Sequence, residues 1–398
     1  MTIEALVRPS PVHDAADLLT AYLPGSFFHR SPRGTLLADG VHASVEGRPG
    51  GHADAAADAL RDAREAGVRD PVVVGALGFL PDAPSSLVVP AVVRRAPGDA
   101  GAAPAVRRPA PPVSDWTVRQ HPAPEDYADG VRQVLDLVDD GVLDKVVLAR
   151  CLELASADPV SVPDLLTRLV LADPGAYAFA ADVTAPGDRA TRTLVGASPE
   201  LLVSRRGGVV EANPLAGSAP RSADEAENRE RIAALLASEK DRHEHALVSE
   251  RVSEVLGRFC TGVTAPAEPA VIGTATMWHL SSRITGRLAD DATTALHLAE
   301  ALHPTPAVCG VPPLAARSAI SEVETVDRGY YSGLVGWVDA SGDGEWVVTI
   351  RSAEVCEATL RLFAGAGVVG GSVPESELAE TAAKFRTLLR AIGVEAAP

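Results

Sequence analysis

Cysteine is scarce in this 398-residue chain, which contains only Cys151, Cys260, Cys309 and Cys356 and no Cys-x-x-Cys pair. This spacing indicates neither a zinc site nor a disulfide framework. Long apolar runs are missing too: no stretch approaches about 18 apolar residues, and residues 1–9 contain no apolar segment of signal-peptide length. We therefore expect a cytoplasmic protein without a membrane span.

Basic residues are fewer than acidic residues in this chain. The chain has 36 lysines and arginines against 53 aspartates and glutamates, a formal net charge of −17. This charge argues against nucleic acid or an anionic membrane as a partner. A small anionic substrate stays compatible with a locally cationic site. The composition, 46% hydrophobic and 22% charged, is that of an ordinary globular protein long enough to bury a large core.

One low-complexity segment divides the chain. Residues 94–112 are rich in alanine, proline, glycine and arginine, which predicts an exposed loop. We expect residues 1–112 to form an N-terminal portion, with an alanine-rich helix near 52–66 and an apolar strand at 71–80. Residues 113–398 then form the C-terminal portion of the same fold.

The C-terminal portion alternates strands with long helices, which predicts an α+β fold rather than a doubly wound α/β fold. A capping-box pattern, Ser222-x-x-Glu225, predicts the start of a helix that ends near residue 259. Another, Ser372-Val-Pro374-Glu375, predicts the start of the last helix, which ends near 392. Further elements are expected as a helix at 126–139 and strands at 145–150, 194–197, 333–338, 345–351 and 359–363.

Three motif matches fail on context. Gly365–Gly370 fits G-x-G-x-x-G, but the chain ends after one more helix and has no room for the second strand of a dinucleotide-binding unit. We predict a glycine turn there, able to bind an anion through its N–H groups. His243-Glu244-His245 is not H-E-x-x-H, and histidines two apart lie on opposite sides of a helix. Gly196–Glu200 lacks the closing glycine of a nucleophile elbow.

Ionisable residues are concentrated in Ser238-Glu-Lys-Asp-Arg-His-Glu-His245. Exposed ion pairs contribute only about 0–1 kcal/mol each, so stability does not require this density. Glu244, together with Glu377 of the last helix, would supply the one or two protein ligands that Mg²⁺ usually takes. The alternative for Glu244 is a surface ion pair with Lys240, four residues earlier.

The last helix separates its apolar and acidic residues. Glu377, Glu380 and Lys384 share an arc of roughly 60°, away from the apolar arc that contains Phe385 and Leu389. The acidic arc is either a solvated face or part of a site. Its position just after the predicted glycine turn favours a site, since a helix N-terminus attracts an anion while carboxylates bind a cation.

Lys145 and Glu200 are candidates for acid/base chemistry. Lys145 opens an apolar strand, either as a solvent-exposed end residue or as a buried amine that can serve as a base. Glu200 follows a Ser-Pro turn and could be its acid counterpart.

The chain resembles the chorismate-utilising enzymes, a family that contains isochorismate, salicylate, anthranilate and aminodeoxychorismate synthases. The resemblance is greatest to isochorismate synthases of the siderophore-pathway type and is dense over about residues 120–392. The segments that carry it are Lys145-Val-Val-Leu-Ala-Arg150, Gly196-Ala-Ser-Pro-Glu-Leu-Leu202, Pro214-Leu-Ala-Gly-Ser218, Ser238–His245, Met277-Trp-His-Leu280, Leu302-His-Pro-Thr-Pro-Ala-Val308, Trp346-Val-Val-Thr-Ile-Arg351 and Phe363-Ala-Gly-Ala-Gly-Val-Val369.

This resemblance implies two packed antiparallel sheets flanked by helices, with the active site between them. It implies that Lys145 deprotonates a water that attacks ring carbon 2 of chorismate, while Glu200 protonates the hydroxyl leaving ring carbon 4. It also implies Mg²⁺, held by Glu244 and Glu377 with Glu380 close to the metal. The substrate-binding positions implied are Gly217, His279, Ala307, Arg351, Gly365, Ala366, Gly367 and Lys384.

Ala216 discriminates within the family, because aminodeoxychorismate synthases resemble this segment but have a nucleophilic lysine there. The alternatives left open are a salicylate synthase, which also eliminates pyruvate, an anthranilate-type subunit that needs a glutaminase partner, and a non-enzymatic anion-binding protein. We expect a monomer whose partner is chorismate alone.

Overall fold

The computed structural model describes residues 14–99 and 102–394. Residues 100 and 101 of the predicted loop, and residues 1–9, where no signal peptide is expected, lie outside these ranges. The helices are α1 Ala15–Thr20, α2 His52–Glu65, α3 Pro124–Asp139, α4 Val162–Ala172, α5 Glu225–Ala237, α6 Glu239–Leu256, α7 Ala295–Leu302, α8 Pro313–Val323 and α9 Pro374–Ala391. The strands are β1 Phe27–Ser31, β2 Gly34–Val45, β3 Val72–Leu77, β4 Ser85–Pro97, β5 Thr117–His121, β6 Lys145–Ala155, β7 Tyr177–Asp182, β8 Arg192–Ser198, β9 Leu201–Arg206, β10 Val209–Asn213, β11 Leu215–Pro220, β12 Cys260–Thr264, β13 Ala270–Gly273, β14 Met277–Ser281, β15 Ile284–Leu288, β16 Gly310–Val311, β17 Leu334–Asp339, β18 Gly344–Val348, β19 Ser352–Cys356 and β20 Thr359–Val369.

The predicted α+β class is confirmed, since helices pack against antiparallel strands throughout the described ranges. Seventeen strands form one continuous network, and β11, β14 and β13 form a separate small sheet. We call β12-β15-β10-β9-β18-β17-β3 the first wing. The second wing is β1-β7-β8-β19-β20-β6, with β5 and β16 both paired to β6. Strands β4 and β2 join the wings, so the two expected sheets are parts of one network.

The wings face each other across a buried apolar layer. Phe27, Phe179 and Leu194 of the second wing pack there against Leu201 and Val347 of the first. The outer faces bury their own apolar side chains against helices, with α7 on the first wing and α4 and α9 on the second. Alternate residues of a strand point to opposite faces, so strands covered on both faces are apolar almost continuously. In the described chain no helix is both long enough and apolar enough to span a bilayer.

Two chain segments cross side by side from one wing to the other. Residues 199–200 lead from β8 to β9, and residues 349–351 lead from β18 to β19. The Ala197 N–H donates to the Arg351 carbonyl at 3.1 Å, and the Val348 N–H donates to the Glu200 carbonyl at 3.2 Å. These bonds hold Glu200 and Arg351 together at the boundary between the wings.

Most predicted elements are confirmed within a few residues, but the long helix predicted from residue 222 is wrong. The chain forms α5 and α6, separated at Ser238, whose extended backbone caps α6 and whose hydroxyl accepts from the Asp241 N–H. Helix α5 is capped by Asp224 rather than Ser222. The side chain of Asp224 accepts two backbone N–H bonds, which satisfies donors that a helix start leaves free.

The predicted glycine turn is also wrong. Gly365 and Gly367 lie inside β20, paired with Ala149 and Val147 of β6, and the chain turns only at residues 370–372. Helix α9 has no side-chain cap, because the Ser372 hydroxyl accepts from the Val369 N–H instead. An anion site made from a glycine turn and this helix end is therefore not formed. The predicted loop is shorter than expected as well, since β4 continues to residue 97.

Candidate active site

A cleft lies beside the two crossing segments. The small sheet, α6, α9 and β20 close its other sides. Ten of the thirteen predicted site residues line it, although they are spread over almost two hundred positions of the chain. These residues are Glu200, Gly217, Glu244, His279, Ala307, Arg351, Gly365, Gly367, Glu380 and Lys384.

Lys145, Ala366 and Glu377 do not line this cleft. Lys145 is fully buried at the start of β6, which answers the question that the sequence left open. Ala366 is also fully buried, because its side chain points to the opposite face of β20 from the cleft-lining glycines. Glu377 is 1% exposed and lies on α9 next to the cleft residue Glu380.

Glu200 is a buried carboxyl whose proton affinity suits an acid. Its residue is only 3% exposed, because it sits in the segment crossing between the wings. Burial raises its pKa to about 7, although the charges of Lys145, Arg351 and Lys384 oppose this shift. Such a carboxyl holds a proton near neutral pH, as a general acid requires.

Lys145 and Glu244 form a buried ion pair. Nζ of Lys145 lies 2.9 Å from Oε1 of Glu244 and makes no further hydrogen bond within the described chain. Burial alone would raise the pKa of Glu244. The charge and the hydrogen bond of Lys145, together with the charges of Lys384 and Lys240, outweigh this effect, and the pKa of Glu244 is lowered. Glu244 is therefore an ionised carboxylate at the edge of the cleft.

Two further lysine–glutamate pairs lie beside the first. Nζ of Lys240 is 2.7 Å from Oε1 of Glu377, and Nζ of Lys384 is 2.5 Å from Oε1 of Glu380. Lys384 also donates to the Gly365 carbonyl at 2.8 Å. Burial and the neighbouring Glu380 charge raise the pKa of Glu377, while Lys240 opposes them.

The carboxylates of Glu244, Glu377 and Glu380 are the type of ligand that a hard divalent cation binds. Burial alone would lower the pKa of Lys240, but Glu377, Glu244 and Glu380 together raise it. One ammonium therefore already lies in the field of all three predicted metal ligands. Because each carboxylate is turned toward a lysine, no three acidic, histidine or cysteine side chains converge as a ready-made metal cluster within residues 14–99 and 102–394. Carboxylate oxygens are the ligands that Mg²⁺ prefers.

Arg351 supplies a positive charge to the wall of the cleft, beside His279. Nη2 of Arg351 lies 3.3 Å from Nε2 of His279. Burial, then the charges of Arg351 and Lys384, lower the pKa of His279 well below its usual range. The imidazole is therefore neutral, and its Nε2 accepts from the guanidinium while Nδ1 carries the proton. The arginine keeps its charge for an anionic ligand.

Gly217 belongs to an irregular part of β11. Its φ is +75°, and a β carbon there would lie 3.1 Å from the side chain of Asp241. The register of β11 against β14 shifts between Ala216 and Ser218. His245 fixes this bulge from α6: its Nδ1 lies 3.2 Å from the Ala216 carbonyl and its Nε2 lies 2.8 Å from the Ser282 hydroxyl.

Two polar cleft residues were missed by sequence reasoning. Ser218 lines the cleft with a buried hydroxyl that has no hydrogen-bond partner among the described residues. It belongs to the 214–218 segment already singled out, so the signal was present. Tyr331 lines the cleft from the loop before β17, its hydroxyl 3.2 Å from where a β carbon on Gly365 would lie. No pattern in the sequence indicates Tyr331.

The structure agrees with the rejection of a metal-binding motif at His243 and His245. His243 is exposed on α6, whereas His245 is buried under the small sheet. The two rings lie on different sides of the helix. They cannot bind one metal ion together.

Comparisons with known proteins identify the family to which this chain belongs. A family model described as chorismate binding enzyme matches residues 101–393. The isochorismate synthase DhbC of Bacillus subtilis is 49% identical over 397 residues, which covers 96% of this chain and 97% of that protein. The vibriobactin-specific isochorismate synthase of Vibrio cholerae is 42% identical over 372 residues, covering 93% and 92%.

A solved structure extends the match to three dimensions. The 2,3-dihydroxybenzoate-specific isochorismate synthase DhbC of Bacillus anthracis superimposes with a TM-score of 0.90 at 44% identity, covering 95% of this chain and 99% of that one. This chain belongs to the family of chorismate-binding enzymes.

Proposed function

We propose that this chain is an isochorismate synthase, which isomerises chorismate to isochorismate. Relatives that are 49% and 42% identical over almost the whole chain have this activity in their names. The observation that carries the proposal is Glu200, a buried carboxyl with a pKa of about 7 beside the cleft. It can donate a proton to a leaving hydroxyl at neutral pH.

The reaction needs one base and one acid. In our proposal Lys145 takes a proton from a water whose oxygen bonds to ring carbon 2. The ring double bonds shift, the bond from carbon 4 to its hydroxyl breaks, and Glu200 supplies the proton that lets this oxygen leave as water. One water enters and one leaves, so the product is an isomer, and proton exchange with solvent resets both residues.

The electrostatics of the cleft link the proposed base to the proposed acid. Lys145 can act as a base only after its ammonium has released a proton, and Glu244 is its ion-pair partner at 2.9 Å. The Lys145 charge also acts on Glu200 and opposes the rise of its pKa. The base and the acid are therefore electrostatically coupled. Their environments nevertheless differ, because Lys145 has an ion-pair partner at 2.9 Å, whereas Glu200 has no ion-pair partner among the described residues.

Substrate carboxylates have candidate partners on the other side of the cleft. Arg351 offers a guanidinium beside the neutral His279, and the Gly365 and Gly367 backbone comes close because neither residue has a side chain. We propose that these groups bind the pyruvyl carboxylate. A charged donor held in a partly enclosed cleft binds a carboxylate more strongly than a neutral one.

We propose Mg²⁺ as the cofactor, with Glu244 and Glu377 as its protein ligands and Glu380 close by. Bound there, it would supply positive charge that polarises and orients the ring carboxylate. The Lys240 ammonium pairs with Glu377 and lies in the field of Glu244 and Glu380, which supports a cation site at this position. A siderophore-type pathway for the product, the monomeric state and the cytoplasmic location stay predictions.

The test is an incubation of the purified protein with chorismate and Mg²⁺, with products separated by chromatography. Isochorismate as the sole product, formed without ammonium and abolished by EDTA, is the expected result. Salicylate together with pyruvate would instead indicate a salicylate synthase. Anthranilate formed only with ammonium would indicate the ammonia-using class. Absence of any conversion would contradict an enzymatic function.

A further inference from the structure

Lysine is almost absent from this chain. Of its 36 lysine and arginine residues only Lys145, Lys240 and Lys384 are lysines. All three lie at the cleft or directly beside it, and every basic residue elsewhere is an arginine or a histidine. A composition that favours arginine so strongly leaves lysine where a primary amine is needed. Lys145 has a role as the base, so Lys240 and Lys384 require an explanation.

Each lysine faces one of the predicted metal ligands. The three ammonium groups therefore neutralise three carboxylates in a single cluster built from β6, α6 and α9. The pairs are Lys145 with Glu244 at 2.9 Å, Lys240 with Glu377 at 2.7 Å and Lys384 with Glu380 at 2.5 Å.

Lys240 differs from Lys145 and Lys384 because its side chain can move away from its carboxylate partner. The Lys145 side chain is fully buried, and Lys384 is held by a second acceptor, the Gly365 carbonyl. The Lys240 side chain is 31% exposed, while its partner Glu377 is 1% exposed. Lys240 can therefore swing into solvent, but the Glu377 carboxylate cannot, so any cation that replaces Lys240 finds the carboxylate in place.

A primary amine suits this position better than a guanidinium. An ammonium is a compact point charge on a flexible four-carbon chain, whereas the arginine guanidinium is a broad planar fork. A compact charge fits between carboxylates in the way a small cation does. The surrounding carboxylates also act on Lys240 together, since Glu244 and Glu380 as well as Glu377 influence it.

We propose that the Lys240 ammonium is the resident cation of this acidic cluster and that a divalent cation binds by displacing it from Glu377. Metal affinity is then set by an exchange between two cations. Lys240 keeps the buried carboxylate neutralised when no metal is bound, and it weakens metal binding accordingly. This inference rests on the metal site of the proposed function.

Direct binding of Mn²⁺, followed by electron paramagnetic resonance on the substrate-free protein, tests the exchange. Lys240→Met should bind Mn²⁺ about tenfold or more tightly than the wild type, because the competing cation is gone. Lys240→Arg keeps the charge and should not gain affinity. Arg242→Met is the matched control: Arg242 lies two residues along the same helix, is exposed and pairs with Glu268 at 2.9 Å. It should bind as the wild type does.

The outcomes separate this inference from the proposed function. Equal or weaker binding by Lys240→Met, with the wild type still binding, would overturn displacement by Lys240 while leaving the metal site intact. No binding by the wild type or any variant would overturn the metal site itself. Circular dichroism of each variant shows whether it is folded.

The small number of lysines allows a second measurement. Protein labelled with ¹⁵N-lysine should give at most three side-chain ammonium signals, and Lys240→Arg identifies one of them. On adding Mg²⁺, the Lys240 signal should lose its protection from solvent exchange, while the Lys384 signal stays protected. Unchanged protection of Lys240 at saturating Mg²⁺ would contradict the displacement.

Discussion

A β carbon on Gly367 would lie 2.1 Å from Oε1 of Glu244. It would also lie 3.2 Å from Cε of Lys145. The missing side chain on β20 is therefore what allows the carboxylate from α6 to reach the amine from β6. Glycine inside a strand often marks such a close approach of another group.

Gly367→Ala should displace the Glu244 carboxylate and separate it from Lys145. We expect kcat/KM for chorismate to fall by about 100-fold or more, since misplacing a reacting group by about 1 Å can cost that much. Gly370→Ala is the control: it lies three residues along, and a β carbon there would meet nothing within 4 Å. If Gly367→Ala kept full activity, the Glu244–Lys145 geometry would not matter for turnover.

The glycine-rich segment also shows why part of the site could not be predicted. Gly365–Gly370 suggests a turn, because glycine favours turns and weakens strands. Eleven residue pairs with β6, from Thr359↔Ala155 to Val369↔Lys145, hold β20 extended instead. Here the pairing of β20 with β6 outweighs the local preference of glycine for a turn. One sequence contains no direct record of which strand pairs with which.

The position of Glu200 illustrates the same limit. The strand predicted at 194–197, before the Ser-Pro turn, is confirmed as part of β8. Strands β8 and β9 belong to different wings, and Arg351 crosses beside Glu200. Both arrangements depend on long-range strand pairing, which the periodicity of the sequence does not reveal. The break at Ser238 was predictable, since Ser238 and Asp241 have the spacing of a helix cap and the third helical residue. The family resemblance, rather than local pattern, identified most cleft residues.

Arg351→Met should weaken substrate binding more than it slows the chemical step. Loss of a charge-assisted hydrogen bond to a carboxylate removes about 1.5–3 kcal/mol, so KM should rise about 10- to 100-fold. Arg361→Met is the control, because Arg361 pairs with Glu153 away from the cleft. A fall in kcat at unchanged KM would contradict the assignment of Arg351 to carboxylate binding.

Glu200→Gln should abolish most turnover while leaving the fold intact. The amide keeps the shape of the carboxyl but cannot donate its proton to the leaving hydroxyl, and general acid catalysis contributes about 10²–10⁴-fold. We expect kcat to fall within that range. In the wild type, kcat should also decrease above pH 7, as Glu200 with its pKa of about 7 loses its proton. An unchanged kcat in the variant would exclude Glu200 as the acid.

The same substitution should change how stability depends on pH. Burial raises the pKa of Glu200 from 4.5 to about 7, so between these values the folded chain holds a proton that the unfolded chain has released. Stability due to Glu200 is therefore lost as the pH rises from about 4.5 to 7 and is constant outside this window. Relative to the wild type, Glu200→Gln should gain about 3 kcal/mol in free energy of unfolding between pH 4.5 and 8, at 1.36 kcal/mol per pKa unit. Urea unfolding at several pH values measures this gain, and parallel pH profiles of the two proteins would show that Glu200 ionises as freely in the folded chain as in the unfolded one.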